Sequence, residues 1–437
     1  MSKEDGIFDS KVDLKVRFAK KEIDIHELYE LFSGRVSFSD LVEFSGKSTA
    51  DVQINVFETI GFVLSGEFEK RALEEGLSVR KLAKTPYLDL LEKGLLEVLI
   101  KLYLKNNRTF FRKFFPFSVC LTHDVDEKKK TYQYFTKAYR DFLSGKILDS
   151  LKEIYGFFHD KFRRRNPYWT FSEIMRLEEE KSVRSTFFFL EETAKISLNP
   201  KTWKHFGRRY RFDDEEISEV MRKLVKGGWE VALHGSYNSF SNYDLLKGEK
   251  EKLERVLGEK IHGIRQHNLN FDFPETWEIQ EMVGLSYDTS LGFKSYDGIG
   301  FKWGTCKPFK PFTRDGRAID VLEIPLTLMD ISIKNPKRNA EKVESLFKEV
   351  AKVDGIFCVL WHHVLFNSED FSEWIELYER IIELGKSYEA LFLTAKEVND
   401  LWRKMVSSPL SVSCKEFRLS YHCDYPFVRA YTSLDVV

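Results

Sequence analysis

The chain has 437 residues, 43% apolar and 31% charged, and a net charge of −1. These values exclude a disordered chain and a general binder of polyanions, and the length allows one large core plus a second unit. Five scattered cysteines exclude a disulfide framework, the N-terminal residues lack the apolar run of a signal peptide, and segment 52–66 is too short to span a bilayer, so a cytoplasmic protein is expected.

In chain order, residues 1–115 read as an accessory mixed α/β domain. Val52, Val56, Ile60 and Val63 follow helical spacing, as do Leu88, Leu91, Leu95, Leu99 and Leu102. No ligand cluster or glycine-rich loop stands out here. After Pro116, the apolar run 117–121 predicts a buried strand that ends in Asp124 and Asp126. The two-residue repeat of a strand puts both carboxylates on one side. Taken alone, such a pair closes many strands as a turn former. With partners, one carboxylate can hold a metal while the other takes a proton from water.

Residues 127–165 form an insertion with eleven Lys or Arg against five acids. Its aromatics, among them Phe135, Tyr139, Phe142, Tyr155, Phe158 and Phe162, recur at roughly helical spacing. A basic amphipathic hairpin of this kind suits an anionic membrane surface or a phosphorylated substrate. The other reading is that the aromatics pack on the barrel and the lysines are solvated, as helices on barrels usually do.

Strand and helix signals then alternate. Thr170-Phe-Ser-Glu173 reads as a capping box before a helix, and 185–190 as an apolar strand. Ile217, Val220, Met221 and Leu224 mark a helix that stops at Gly227-Gly228 before strand 229–233. Strand 261–264, a helix opened by Pro274, and strands 285–287 and 319–324 follow. Next come a helix through Val343 and Val350, strand 356–361, helix 375–384, strand 388–393, and a last helix capped by Thr394 and Glu397. Residues 406–437 read as a short β-rich tail. Apolar strands alternating with amphipathic helices predict a parallel sheet covered by helices, and seven or eight such units predict a closed barrel.

Polar motifs stand at these strand ends: Leu233-His-Gly-Ser-Tyr-Asn238, Gly263-Ile-Arg-Gln-His267, Tyr287-Asp-Thr-Ser290 and Leu360-Trp-His-His363. In this order, after Asp124-Val-Asp126, they resemble the polysaccharide deacetylase family, carbohydrate esterase family 4. The resemblance covers about residues 116–405. It implies a distorted (β/α) barrel of about seven parallel strands. It further implies a metal-dependent hydrolase that removes an acyl group, N-acetyl in the family, from an amino sugar in polysaccharide metabolism.

Carried onto this chain, the resemblance makes Asp126 and His234 ligands of a divalent ion, zinc by ligand type. Asn238 stands where the family has a second histidine, and an amide oxygen binds zinc less well than imidazole. An alternative is therefore a catalytically impaired, deacetylase-like carbohydrate-binding protein. Asp124 becomes the base, Arg265 the cation that holds it ionised, and His362 the acid. Chemistry alone does not choose between His362 and His363; the resemblance points to His362. Asp288 matches the acid that orients the catalytic histidine, or else makes an Asx turn before Thr289 and Ser290. Tyr237 and Trp361 are walls for a sugar ring or members of the core, and His267 can line the pocket. The expected partner is an N-acylated sugar or polysaccharide, with a lipid-linked sugar among the candidates. Balanced charge and the lack of a reader motif speak against nucleic acid.

Overall fold

A computed structural model describes residues 15–18, 24–33, 35–36, 38–43, 49–53, 56–104, 116–195, 210–294, 299–333 and 335–407. Near the N-terminus, β1 (Lys15–Phe18) pairs parallel with β3 (Thr49–Val52), and β2 (Val42–Glu43) pairs antiparallel with β3. Five helices accompany them between Ile25 and Leu104. Their core is continuous with the rest of the chain: Phe68, Tyr87 and Leu91 share one apolar cluster with Trp277, Trp303, Phe309 and Val321. Asp89, buried, accepts hydrogen bonds from the Thr305 hydroxyl and the Cys306 N–H, both at 2.8 Å.

The larger sheet contains β4 (Ser118–Val125), β5 (Thr186–Leu190), β6 (Glu230–Gly235), β7 (Gly263–Gln266), β8 (Tyr287–Asp288), β9 (Leu322–Glu323), β10 (Leu328–Met329), β11 (Ile356–Leu360) and β12 (Leu391–Phe392). All pairs are parallel, in the order β10-β11-β4-β5-β6-β7-β8-β9, with β12 beside the start of β4. The two ends of this row belong to one stretch of chain. The N–H groups of Ile324 and Leu326 donate to the carbonyls of Asp288 and Leu291 on one side, and that of Thr327 donates to Cys358 on the other. The β9–β10 stretch thus closes the ring, and the result is a distorted (β/α) barrel. Gly263 is required by close approach: a Cβ there would lie 1.8 Å from the Tyr287 ring.

Alternation along each strand separates two cores. Cys120, Phe188, Ala232, Tyr287, Leu322, Cys358 and Leu360 fill the lumen. Val119, Leu121, Phe187, Phe189, Leu233, Ile264, Phe357 and Trp361 face the surrounding helices. Two strands are shorter than the sequence predicts, since only Leu322–Glu323 and Leu391–Phe392 pair as strand. Thr394 and Glu397 do form a reciprocal cap, through Thr394 N–H to Glu397 and Glu397 N–H to the Thr394 hydroxyl. Thr170 differs from its predicted capping role. Helix Phe171–Glu180 begins after it, but its hydroxyl donates to the carbonyl of His363 at 2.7 Å. The expected β-rich tail lies outside the described residues beyond 407.

On the outer face, Glu178 ties four elements together. Its carboxylate meets His123 Nε2 at 2.9 Å, the Ser185 hydroxyl at 2.8 Å, the Trp229 indole N–H at 2.6 Å and the Tyr378 hydroxyl at 2.6 Å. All five side chains are buried. Removing the acceptor leaves several buried donors unsatisfied at once. Glu178→Ala is expected to lower unfolding stability by about 3–5 kcal/mol, read from urea denaturation followed by tryptophan fluorescence.

Candidate active site at the mouth of the barrel

The lumen-facing repeat of β4 delivers Thr122, Asp124 and Asp126 to one side, and they climb toward the C-terminal mouth. Arg265 reaches across from β7, two strands beyond the neighbour of β4. Its Nη1 donates to Asp124 Oδ1 and to the Thr122 hydroxyl, each at 2.7 Å, and its Nε donates to the Thr289 carbonyl at 3.3 Å. The guanidinium is fully buried and lies 4.4 Å above the Phe188 ring centre. Burial alone would push the Asp124 carboxyl up, but Arg265, His234 and His362 outweigh it and hold the carboxyl below its ordinary range.

His234 is the last residue but one of β6, with its ring in the lumen. Nδ1 bonds the Arg265 carbonyl at 2.8 Å, and Nε2 lies 3.3 Å from Asp126 Oδ1 and 3.5 Å from Asp124 Oδ2. Burial opposes its charged form, yet Asp124 and Asp126 prevail and raise its pKa. His362, just past β11, bonds both oxygens of Asp330 through Nδ1 at 2.9 Å, and its backbone N–H donates to the same carboxylate at 2.5 Å. Its Nε2 points to Asp126 Oδ2 at 3.8 Å. Despite burial, Asp330 first and then Asp126 and Asp124 push its pKa up to about 10. His363 behaves oppositely. It stacks on Phe171, bonds the Asp124 carbonyl through Nδ1 at 3.1 Å, and is pushed down to about 4, chiefly by burial.

His267 follows β7. Its Nδ1 bonds Glu192 at 2.9 Å, and its Nε2 lies 4.0 Å from Asp126 Oδ2. Tyr237 stands half-buried at the rim, edge-on to His267 with ring centres 6.2 Å apart. The mouth therefore holds a carboxylate ringed by imidazoles, a second carboxylate fixed by a guanidinium, and an aromatic at the edge. Such a set can move protons and bind a cation. Among the described residues, no three His, Cys, Asp or Glu side chains have the spacing of a formed metal cage.

Three expectations need correction. Asn238 is exposed, in the turn that precedes the short helix Ser239–Ser241, rather than among the lumen side chains. The turn after Gly235 carries it away from the mouth. Trp361 is fully buried against Trp374 and Tyr378 on the helix side. Strand alternation forces this, because its neighbour His362 faces the mouth. Asp288 does not touch His362. Tyr287 occupies the lumen, so Asp288 turns outward with its cross-strand partner Glu323. There the Ser290 hydroxyl donates to Asp288 Oδ1 at 2.6 Å. The acid that holds His362 is Asp330. Asp330 and Glu192 were both missed, although each follows an apolar run at a strand end, the same signal that marks Asp124.

No protein-family model matches the chain, and no curated protein does. The chain is similar to solved polysaccharide deacetylases. One, described as a polysaccharide deacetylase from Mycobacterium smegmatis, shares 15% identity over 70% of this chain and 98% of its own, with a TM-score of 0.43. Another, from Pseudomonas aeruginosa PAO1, shares 15% identity over 66% of this chain and 91% of its own, with a TM-score of 0.40. The Xyl-CE4 domain of a multidomain xylanase, from the hindgut metagenome of Trinervitermes trinervoides, shares 13% over 66% and 92%, with a TM-score of 0.33.

The outward pair Asp288 and Glu323 has a measurable consequence. Burial raises both carboxyls, and the Asp288 charge raises Glu323 further. Asp288 Oδ2, buried, has no donor unless the pair retains a proton. The folded state then binds more protons than the unfolded state above the ordinary carboxylate range, so this pair's contribution falls as pH rises. In Asp288→Asn an amide N–H can take the place of the shared proton. The variant is expected to gain on the parent as pH rises above the ordinary carboxylate range, read by urea unfolding.

Proposed function

We propose that the chain is a divalent-metal-dependent hydrolase that removes an acyl group, N-acetyl in the first instance, from an amino sugar of a cytoplasmic polysaccharide pathway. The observation that carries this reading is the placement of two differently held proton-transfer groups around one carboxylate. Asp124 is kept ionised by Arg265 on one oxygen and turns the other to His234. His362 is kept protonated by Asp330 and turns Nε2 to Asp126.

Two of the donors support a divalent ion. Two ligands bonded at about 2.0–2.2 Å in a tetrahedral site lie roughly 3.3–3.5 Å apart. His234 Nε2 and Asp126 Oδ1 are 3.3 Å apart, with the Nδ1 of the imidazole anchored on a carbonyl. When bound, the ion supplies positive charge that acidifies a water and polarises an acyl oxygen. The chain's own groups do the rest. Asp124 accepts the water's proton, and Arg265, itself bonded to the Thr122 hydroxyl, holds it in line. His362 Nε2 delivers a proton to the departing nitrogen, which would otherwise leave as a poor anion. Asp330 fixes the ring and its charge. Tyr237 offers an aromatic face at the rim for a sugar ring.

A second reading, a carbohydrate-binding protein with impaired catalysis, draws on the exposed Asn238. Acetate release from N-acetylglucosamine oligomers, with zinc and after chelation, separates the two. The first reading expects zinc-dependent release; binding of the oligomers without release would favour the second. Asp124→Asn and His362→Ala are each expected to lower turnover by ~10²–10⁴-fold in protein that still folds, with Asp124→Asn also lowering thermal melting because the buried Arg265 loses its counter-charge. Asp330→Asn should act on turnover through His362 and shift the His362 titration downward in NMR of the metal-free protein.

A further inference from the structure

We propose that His267, oriented by Glu192, completes the metal site with Asp126 and His234, in place of Asn238. The inference rests on the metal-dependent reading above and names a ligand that no motif spacing assigns. Three imidazoles converge on Asp126 with the same nitrogen: His234 Nε2 at 3.3 Å, His362 Nε2 at 3.8 Å and His267 Nε2 at 4.0 Å. Each has its Nδ1 committed to an oxygen, respectively the Arg265 carbonyl, Asp330 and Glu192. An Nδ1–H held in this way leaves Nε2 available as a ligand, the arrangement that carboxylate partners impose on metal-bound histidines. His234 and His267 also lie near each other, with ring centres 5.4 Å apart. A contraction of about half an ångström brings His267 and Asp126 to the spacing of two ligands on one ion.

Charge points the same way. Asp124, Asp126, Glu192 and Asp330 are buried at this mouth, and Arg265 pairs with Asp124. Carboxylates gathered at one mouth suit a cation. His362 is the proton donor of the reading above, so His267 is the imidazole assigned to the ion beside His234. Asn238 is exposed and takes no part.

Zinc affinity, measured by competition with a chromophoric chelator, tests this without any substrate. His267→Ala is expected to weaken zinc by ~10²-fold or more, and Glu192→Gln by about 10–100-fold. Asn238→Ala should leave it unchanged. Cobalt substitution gives a second readout, since loss of an imidazole ligand should alter the visible spectrum in His267→Ala. Unchanged affinity and spectrum in His267→Ala, with zinc bound by the parent, would overturn the inference while sparing the metal-dependent reading. A parent that binds no zinc would overturn both.

The insertion after Asp126 carries a separate inference. It folds as two packed helices, Gln133–Leu143 and Ile147–Arg163. Their amphipathicity is inverted. The inner side is ionic: Lys130 and Lys137 bridge Glu153 and Asp370, and the Tyr134 hydroxyl donates to Asp160. The outer side is apolar. Phe135, Tyr139, Phe142 and Leu143 line one helix, and Leu148, Leu151, Tyr155, Phe158 and Phe162 the other, at 50–90% exposure. At about 150–250 Å² per large side chain, this face is on the order of 1,000 Å², larger than a monomer usually leaves in water. Arg140, Lys146, Arg163 and Arg164 accompany it and make no salt bridge among the described residues.

We infer that this face docks on an anionic lipid bilayer. Apolar and aromatic residues beside unneutralised cations match the interior and headgroups of such a surface. Co-sedimentation with vesicles tests it. Binding is expected to phosphatidylglycerol-containing vesicles and not to pure phosphatidylcholine, and high salt should release it. Tyr155→Glu with Phe158→Glu should abolish it, and Arg163→Glu with Arg164→Glu should weaken it by about tenfold or more. Equal binding to both vesicle types, or none, would overturn the inference. So would a dimer in analytical ultracentrifugation that the Tyr155/Phe158 double variant dissociates, since the face would then be covered by a second copy.

Discussion

The two-residue repeat of β4 constrains every other part of the site. Thr122, Asp124 and Asp126 share a face because alternate side chains must, and that face is the lumen. Each partner then has to arrive from a strand whose own repeat ends in phase. Ala232 and His234 are in phase on β6, as are Leu360 and His362 across the end of β11. Arg265, next to the outward Ile264, reaches Asp124 from β7. A shift of one residue in β11 would put Trp361 into the mouth and His362 among the helices. The register is fixed by the apolar residues around it, since the same shift would move Phe357 and Val359 off the outer core.

Electrostatics then separates residues that the sequence places side by side. His362 and His363 differ by one position and are driven in opposite directions. Asp330, Asp126 and Asp124 surround one, while Phe171 and burial dominate the other. An ion beside Asp126 would oppose the upward push on His362, because it cancels part of the carboxylate field.

Much of this was legible in the sequence because strand mouths in a barrel leave a clear trace: an apolar run followed by polar groups. Asp124, Asp126, His234, Arg265 and His362 all carry it, and the structure brings them together. What went astray did so for definable reasons. Trp361 and Asp288 stand one residue away from lumen positions, so counting the alternation from His362 and Tyr287 would have turned both outward. Asn238 was placed by spacing within a motif, yet a turn after Gly235 decides where it points, and spacing does not encode that. Asp330 and Glu192 were legible by the strand-end signal but belong to no motif of the resemblance. Thr170 looks like a cap in sequence, but the nearby His363 carbonyl takes its hydroxyl. That contact depends on a residue almost two hundred positions away.

The hairpin after β4 shows how an apolar face can stay exposed beside the site. Its attachment to the barrel is largely ionic. Lys130 and Lys137 meet Asp370, and Arg165 meets Glu369, both in the first turn of helix Ser368–Ser387. That turn follows the short helix His363–Phe366, and hence His362, with Asn367 capping it. The other end of the hairpin is continuous with Asp126 and is steadied by Lys128 on Asp214. A pair of helices held by buried charges needs no apolar stripe for its own attachment. The stripe is then free to meet a separate surface, while the ionic anchors stand a few residues from Asp126 on one side and from His362 on the other.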